Sequence, residues 1–166
     1  LSHVLGRIGK MNDTEYEKYK PLGYSYNDSV GKQGIEKTAE QYLKGTDGVK
    51  GSGGEDSTII SKAPMVPGNN VILTIDMQLQ RTLEDSLKNR IQKISREGGE
   101  KKGKDANAGA AVVIDVKNGD VLAMASYPTY SLDNFGSNYS ALTADKNKPL
   151  LNRAASGTYT PGSTFK

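Results

Sequence analysis

Apolar residues at Leu79, Leu83, Leu87, Ile91 and Ile94 recur in steps of four and three. This spacing lines them along one face of a helix over about 77–96. Asp76 stands where an N-cap belongs, and Gly98-Gly99 ends the pattern. Just upstream, VILTI (71–75) is a β-branched run preceded by Pro67-Gly68, which predicts a strand. Downstream, a charged loop (97–107) leads to two further apolar runs, 109–116 and 121–127, on either side of Lys117-Asn118-Gly119-Asp120. Asn-Gly between such runs predicts a tight hairpin turn with positive φ at both central residues. Residues 110–114 are apolar on both parities, so this strand is expected to be covered on both faces, one of them by the helix 77–96.

The flanking regions are less regular. Residues 1–12 are apolar enough for a strand, and Asn12 or Thr14 can cap a short helix over 13–20. Thr14-x-x-Glu17 has the spacing of a capping box, and Pro21 and Gly23 end the segment. The Tyr-, Asn- and Gly-rich stretch 23–34 reads as loop. Residues 34–45 read as a helix with Ile35, Ala39, Tyr42 and Leu43 on one face and Gly45 as its left-handed terminator. Residues 45–58 read as a mobile loop or weak hairpin. No period runs through 128–160, which is too long to be inert and is expected to be either functional or structured in its own right.

Composition narrows the classes. The chain has 166 residues, of which 35% are hydrophobic and 19 are Gly, as expected of a partly elongated, loop-rich chain or a piece of a larger one. A net charge of +3 arises from interleaved acids and bases, which leaves no nucleic-acid footprint. Lys101-Lys102-Gly103-Lys104 reads as a solvated loop tip. Without Cys, and with His3 as the one His, the chain offers neither disulfides, nor thiolate or His-rich metal sites, nor a Ser–His–Asp triad. No metal and no cofactor are expected. No apolar run approaches the ~20 residues of a membrane span. The start at Leu1 instead of Met leads to the expectation of further chain upstream.

Ser163-Thr164-Phe165-Lys166 is the catalytic candidate. If Ser163 opens a helix, Lys166 lies one turn on along the same face, and its ammonium can reach the hydroxyl. A Lys of depressed pKa can accept the Ser proton, so the pair needs no His. Taken by itself the spacing is common, and without further context Ser163 reads as an ordinary helix N-cap. Ser29-Val30-Gly31-Lys32 also matches and reads as a turn beside a helix.

Five blocks add context. HVLGRIG (3–9), GKQGIEKTAEQYLKG (31–45), PGNNVILTIDMQLQ (67–80), GAAVVIDVKNGDVLAMASYPTY (109–130) and NRAASGTYTPGSTFK (152–166) follow one another as in class B penicillin-binding proteins, which the chain resembles along nearly its full length. Two departures are local. Ser131-Leu132-Asp133-Asn134 follows Tyr130 where the family usually has Asp-Pro-Asn, and 97–107 looks like an insertion. The Ser-x-Asn and Lys-Thr-Gly elements that such enzymes also use are not within these residues.

The resemblance implies an α+β fold: a pedestal over 1–66 of the non-catalytic, dimerisation type, then the N-terminal part of a transpeptidase domain over 67–166, with a helix packed on antiparallel sheet and the domain cut after Lys166. It implies that Ser163 is the acyl-accepting nucleophile and Lys166 its general base. The expected substrate is a peptidoglycan stem peptide, β-lactams are expected to acylate the same Ser, and the pedestal is expected to contact membrane proteins of cell-wall synthesis. The remaining transpeptidase half would lie on this chain or a separate one. The expected place is the extracytoplasmic face of a bacterial membrane, and the 166 residues alone are expected to be inactive. Two other readings compete: a class D β-lactamase or β-lactam sensor relative, and a non-enzymatic scaffold module.

Overall fold

A computed structural model describes residues 1–53, 58–99 and 103–160, with the backbone alone over 49–53 and 58–62. It divides into two units, Gly6–Leu73 and a second that joins Leu1–Leu5 to the residues from Thr74 onward. Residues 1–12 do not form one strand. They split into a one-turn helix α1 (Ser2–Leu5) and a strand β1 (Arg7–Lys10), parted at Gly6, where φ is +82°.

In the unit Gly6–Leu73, helix α2 (Asp13–Tyr19) starts at Asn12. The Asn12 side chain accepts the Glu15 N–H at 2.8 Å, and the Glu15 carboxylate accepts the Asn12 N–H at 2.9 Å. The capping box is therefore Asn12/Glu15 and not Thr14/Glu17, because Asn12 is the extended residue outside the helix while Thr14 already lies within it. A 3₁₀ turn (Lys20–Leu22) and Gly23 at φ +85° end the segment.

The stretch expected to be loop contains a strand, β2 (Ser29–Gln33), antiparallel to β1 with Gly9 opposite Val30 and Lys10 opposite Ser29. Ser29-Val30-Gly31-Lys32 accordingly runs as strand and not as a turn. Its partner is distant in sequence, and Val30, 1% exposed, joins Met11 and Tyr24 in a small core flanked by Tyr16 and Tyr19. Tertiary pairing of this kind overrides a weak local preference.

The expected helix 34–45 is two pieces, α3 (Gly34–Thr38) and α4 (Glu40–Leu43), broken at Ala39. The Glu40 carboxylate accepts both the Gly31 N–H (2.6 Å) and the Tyr24 hydroxyl (2.8 Å), tying this break to β2. Gly45 is not in the left-handed region. It sits beside a two-bond bridge between Thr46 and Val66, and a Cβ there would lie 2.2 Å from the Val66 carbonyl oxygen. Close backbone approach, not φ, calls for glycine. Strands β3 (Val49–Gly53) and β4 (Thr58–Ala63) then form an antiparallel hairpin, the second of the two expectations for this stretch.

VILTI (71–75), which straddles the boundary between the units, forms no strand. Thr74 and the residues after it instead line the outer edge of a hairpin further along the chain. Helix α5 (Met77–Glu97) is capped by Asp76, whose carboxylate accepts the Leu79 N–H at 2.8 Å. Strands β5 (Gly109–Ile114) and β6 (Val121–Tyr127) make that hairpin, pairing antiparallel with Val112 opposite Met124 and Ala110 opposite Ser126. Along the free edge of β6, Thr74 donates its hydroxyl to the Val121 carbonyl (2.8 Å) and Asp76 its N–H to the Leu122 carbonyl (2.9 Å). Gln80, 1% exposed, completes the edge: its carbonyl accepts the Met124 N–H and its amide donates to the Met124 carbonyl, each at 2.8 Å. One side chain thus acts as a strand residue would.

The connection between β5 and β6 is wider than the two-residue turn expected. It spans 115–120, with Gly119 N–H to the Asp115 carbonyl and Asp115 N–H to the Asp120 carbonyl, both 2.8 Å. Gly119 has φ +81° and Asn118 does not share it. Asn118 works through its side chain, exchanging bonds with Asp120 while Asp115 accepts the Lys117 N–H.

The two faces of the hairpin differ. A Cβ on Gly109 would meet Ile91 and Leu87, so residues 109, 111 and 113 face α5. Their cross-strand partners Ala123 and Ala125 are buried, and their small side chains let the helix approach closely. On the opposite face Val112 (40%) and Ile114 (52%) stay exposed. The expectation of full cover therefore fails at this end of the strand. Residues 128–160 do carry structure of their own: helices α6 (Phe135–Ala144) and α7 (Arg153–Ser156). The α6 sequence, FGSNYSALTA, mixes small, polar and apolar residues without a stripe, so periodicity does not reveal it.

Candidate active site

Ser163 and Lys166 lie outside the described residues. The framework that leads to them is described up to Thr160. It rests on the face of β6 turned away from α5. Ser126, 8% exposed, donates its hydroxyl to the Asn152 side-chain carbonyl (3.3 Å) and accepts the Ala154 N–H (3.1 Å). Because Ser126 stands opposite Ala110, these bonds lay α7 on the second face of the sheet near that pair. Asn152 caps α7, its carbonyl also accepting the Ala155 N–H at 3.2 Å.

Arg153 is 9% exposed. Its guanidinium donates to the Lys148 carbonyl at 2.9 Å and to that of Asn147. These carbonyls belong to a turn in which Lys148 takes φ +45°, uncommon for a residue with a side chain. The buried guanidinium thus binds two carbonyls of that turn, and Asp145 adds a further bond by accepting the Asn147 N–H (2.7 Å). Past α7, the Tyr159 hydroxyl reaches the Arg153 carbonyl at 3.5 Å.

Helix α1 packs against the same framework. The His3 Nε2 lies 2.7 Å from the Pro149 carbonyl oxygen. A carbonyl can only accept, so Nε2 carries the hydrogen. Nδ1 is left to accept from Thr129, whose hydroxyl is 3.5 Å away. The ring meets Tyr130 edge-on at 5.0 Å between centroids. Burial lowers the imidazole pKa from its ordinary 6.5, with Arg153 acting in the same direction. The Pro149 hydrogen bond and Glu84 oppose them. The lowered pKa favours the neutral imidazole, the form in which Nδ1 can accept from Thr129.

Sequence reasoning finds none of Gln80, Ser126, Asn152, Arg153 or His3 in these roles. Asn152 alone leaves a signal, as a capping residue ahead of Arg-Ala-Ala-Ser. Among the described residues no group of three or more His, Asp and Glu converges as a metal site would. Among them, too, no helix is long and apolar enough to cross a membrane.

Two family models match the chain: the penicillin-binding protein dimerisation domain over residues 1–73 and the penicillin-binding protein transpeptidase domain over 109–166. A peptidoglycan D,D-transpeptidase MrdA of Haemophilus influenzae is 35% identical over the whole chain. The chain belongs to the class B penicillin-binding proteins. It spans about a quarter of the length of the curated relatives it matches. Among solved structures of such penicillin-binding proteins, a Helicobacter pylori PBP2 in complex with MreC aligns with 99% of the chain and 29% of its own (TM-score 0.75, 29% identity). Pseudomonas aeruginosa PBP2 in complex with WCK 5153 aligns with 99% of the chain and 31% of its own (TM-score 0.63, 31% identity). The mixed helix and antiparallel sheet described above is the architecture that these likenesses share.

Proposed function

We propose that this chain is the N-terminal part of a peptidoglycan D,D-transpeptidase, with a pedestal over 1–66 and the beginning of the catalytic domain over 67–166. The observation that carries this reading is full-length likeness to a D,D-transpeptidase, with the family's transpeptidase match ending on Ser163-Thr164-Phe165-Lys166. Ser163 is the nucleophile and Lys166 its base. The Ser163 Oγ attacks the carbonyl carbon between the two terminal D-Ala residues of a stem peptide, and its proton passes to the Lys166 amine. The C–N bond breaks, the terminal D-Ala leaves with that proton, and an acyl ester remains on Ser163. The amine of a second stem peptide attacks the ester, forms the crosslink and frees Ser163. β-Lactams enter by the same first step.

Further strands have a place to add. Among the described residues the outer edge of β5 has no strand partner, and the face bearing Val112 and Ile114 is uncovered beside it. The remaining half of the catalytic domain would supply both. The complex of a similar PBP2 with MreC supports a role for the pedestal in binding cell-wall synthesis proteins. Such work belongs on the extracytoplasmic face of a bacterial membrane.

The test is intact-mass analysis and peptide mapping of the complete protein after exposure to a penicillin. A stable penicilloyl adduct on Ser163, absent in Ser163→Ala, is expected. No adduct on the complete protein overturns the reading, and rapid turnover of the penicillin would favour a β-lactamase.

A further inference from the structure

We propose that an open cavity of about 440 Å³ at the C-terminal end of α5 binds a short peptide ending in a free carboxylate. The cavity follows from the sequence of β6. Ala123, Ala125 and Tyr127 lie on the face of the hairpin turned to α5, opposite residues 113, 111 and 109. The two alanines let the helix lie close, and the cavity opens where they give way to the half-buried Tyr127. Tyr127 and Ile91, which packs on Gly109, supply its apolar lining. Asn107 comes to it from the stretch 97–107, which departs from the family pattern, and Asn147 from the turn before α7.

The polar groups of this lining fit one kind of ligand. Gln92, Asn107 and Asn147 present carboxamides, each able to donate and to accept as a peptide group does. Gln92 donates one amide hydrogen to the Tyr127 hydroxyl at 3.4 Å. Arg96 is the one charged residue among the described residues that line the cavity, so no acid there competes for it. Among the described residues its guanidinium donates through Nε alone, to the Gln92 carbonyl at 3.2 Å. The two terminal nitrogens are thus open to a carboxylate. A cation with no acid beside it selects an anion, and the carboxamides select one attached to peptide groups. Asn147 is held before any ligand arrives: the buried Arg153 binds its carbonyl, and Asp145 accepts its N–H. A group fixed in this way loses little freedom on binding. Tyr127 faces α5, whereas Val112 and Ile114 lie on the other face, so the cavity is not on the face left for the rest of the domain. On the transpeptidase reading above, on which the choice of ligand rests, the peptide is an uncrosslinked stem peptide.

The complete protein is first acylated with a penicillin, so that Ser163 is occupied. It is then titrated with diacetyl-Lys-D-Ala-D-Ala and with the C-terminal carboxamide of the same peptide, binding being followed by ligand-observed NMR. Saturable binding of the carboxylate form is expected. The carboxamide on wild type, and the carboxylate on Arg96→Gln, are each expected to bind about 10- to 100-fold more weakly. Lys93→Gln removes a cation of α5 that does not line the cavity, and it is expected to bind as the wild type does. Absence of saturable binding overturns the proposal, and so does equal affinity for the two peptides or equal affinity of wild type and Arg96→Gln. A loss in Arg96→Gln that Lys93→Gln matches overturns it too, because it would reflect the charge of the helix and not the cavity. Failure of the wild type to be acylated would instead overturn the transpeptidase reading, and with it the choice of a stem peptide as ligand.

Discussion

Replacing Gln80 with Leu keeps the bulk of the side chain and removes every polar atom that it offers to β6. Wild-type Gln80 satisfies the Met124 N–H and carbonyl and donates its remaining amide hydrogen to Glu84 at 2.8 Å. Gln80→Leu leaves the two Met124 groups facing an apolar side chain. The expected loss is about 1–3 kcal/mol, read from the denaturant midpoint, while Gln78→Leu on the exposed face of α5 should have little effect. At this scale the sequence is legible where chemistry is local and opaque where it is not. The Ser163–Lys166 spacing can be seen in four letters, but it gains meaning only from the blocks that precede it. His3, Gln80 and Arg153 are opaque because their partners are backbone carbonyls and amides, which every residue possesses and no sequence pattern marks.

Elements are legible in proportion to their dependence on near neighbours. Helix α5 follows from its apolar stripe and the Asp76 cap, and the β5–β6 pair from two apolar runs around a turn. That turn is wider than its Asn-Gly pair suggests because Asp115, Asn118 and Asp120 bond to one another and to nearby backbone. Where VILTI ends, Thr74 meets β6 through its side-chain hydroxyl and not through a backbone ladder, and Asp76 and Gln80 complete that edge with one N–H and one side-chain amide, an arrangement a β-branched run does not signal. β2 escapes a reading of its own residues for the reverse reason, a ladder supplied by β1 from across the unit. Gly45→Ala tests whether close packing against Val66 fixes the chain after α4. Its φ suits Ala, so conformational preference alone predicts a neutral or stabilising change. The 2.2 Å approach to the Val66 carbonyl predicts instead a destabilisation of about 1–3 kcal/mol, measurable by denaturant titration.

At the scale of the whole molecule, the uncovered face and free edge of β5 decide what the 166 residues can do alone. Val112 and Ile114 are where a covering layer would sit, and a hairpin with an open apolar side is prone to self-association. The polypeptide on its own is expected to remain unlabelled by a penicillin in intact-mass analysis and to bind a hydrophobic dye, whereas the complete protein should be labelled and bind little dye. The contacts of α1 with Pro149 and Asn152 have a consequence for the order of folding. His3 and Pro149 are 146 residues apart in sequence, while the hairpin joins Ile114 to Val121. On loop-closure entropy alone the longer closure is costlier by about 3 kcal/mol. Synthesis at roughly 5–20 residues per second also separates the emergence of the two partners by about 7–30 s. Residues 2–5 must therefore wait, unpartnered, while Gly6–Leu73 can already fold. Their contacts should be among the last to become protected in pulsed hydrogen exchange, making the junction around α1 the natural point for a protease or chaperone to engage the nascent chain.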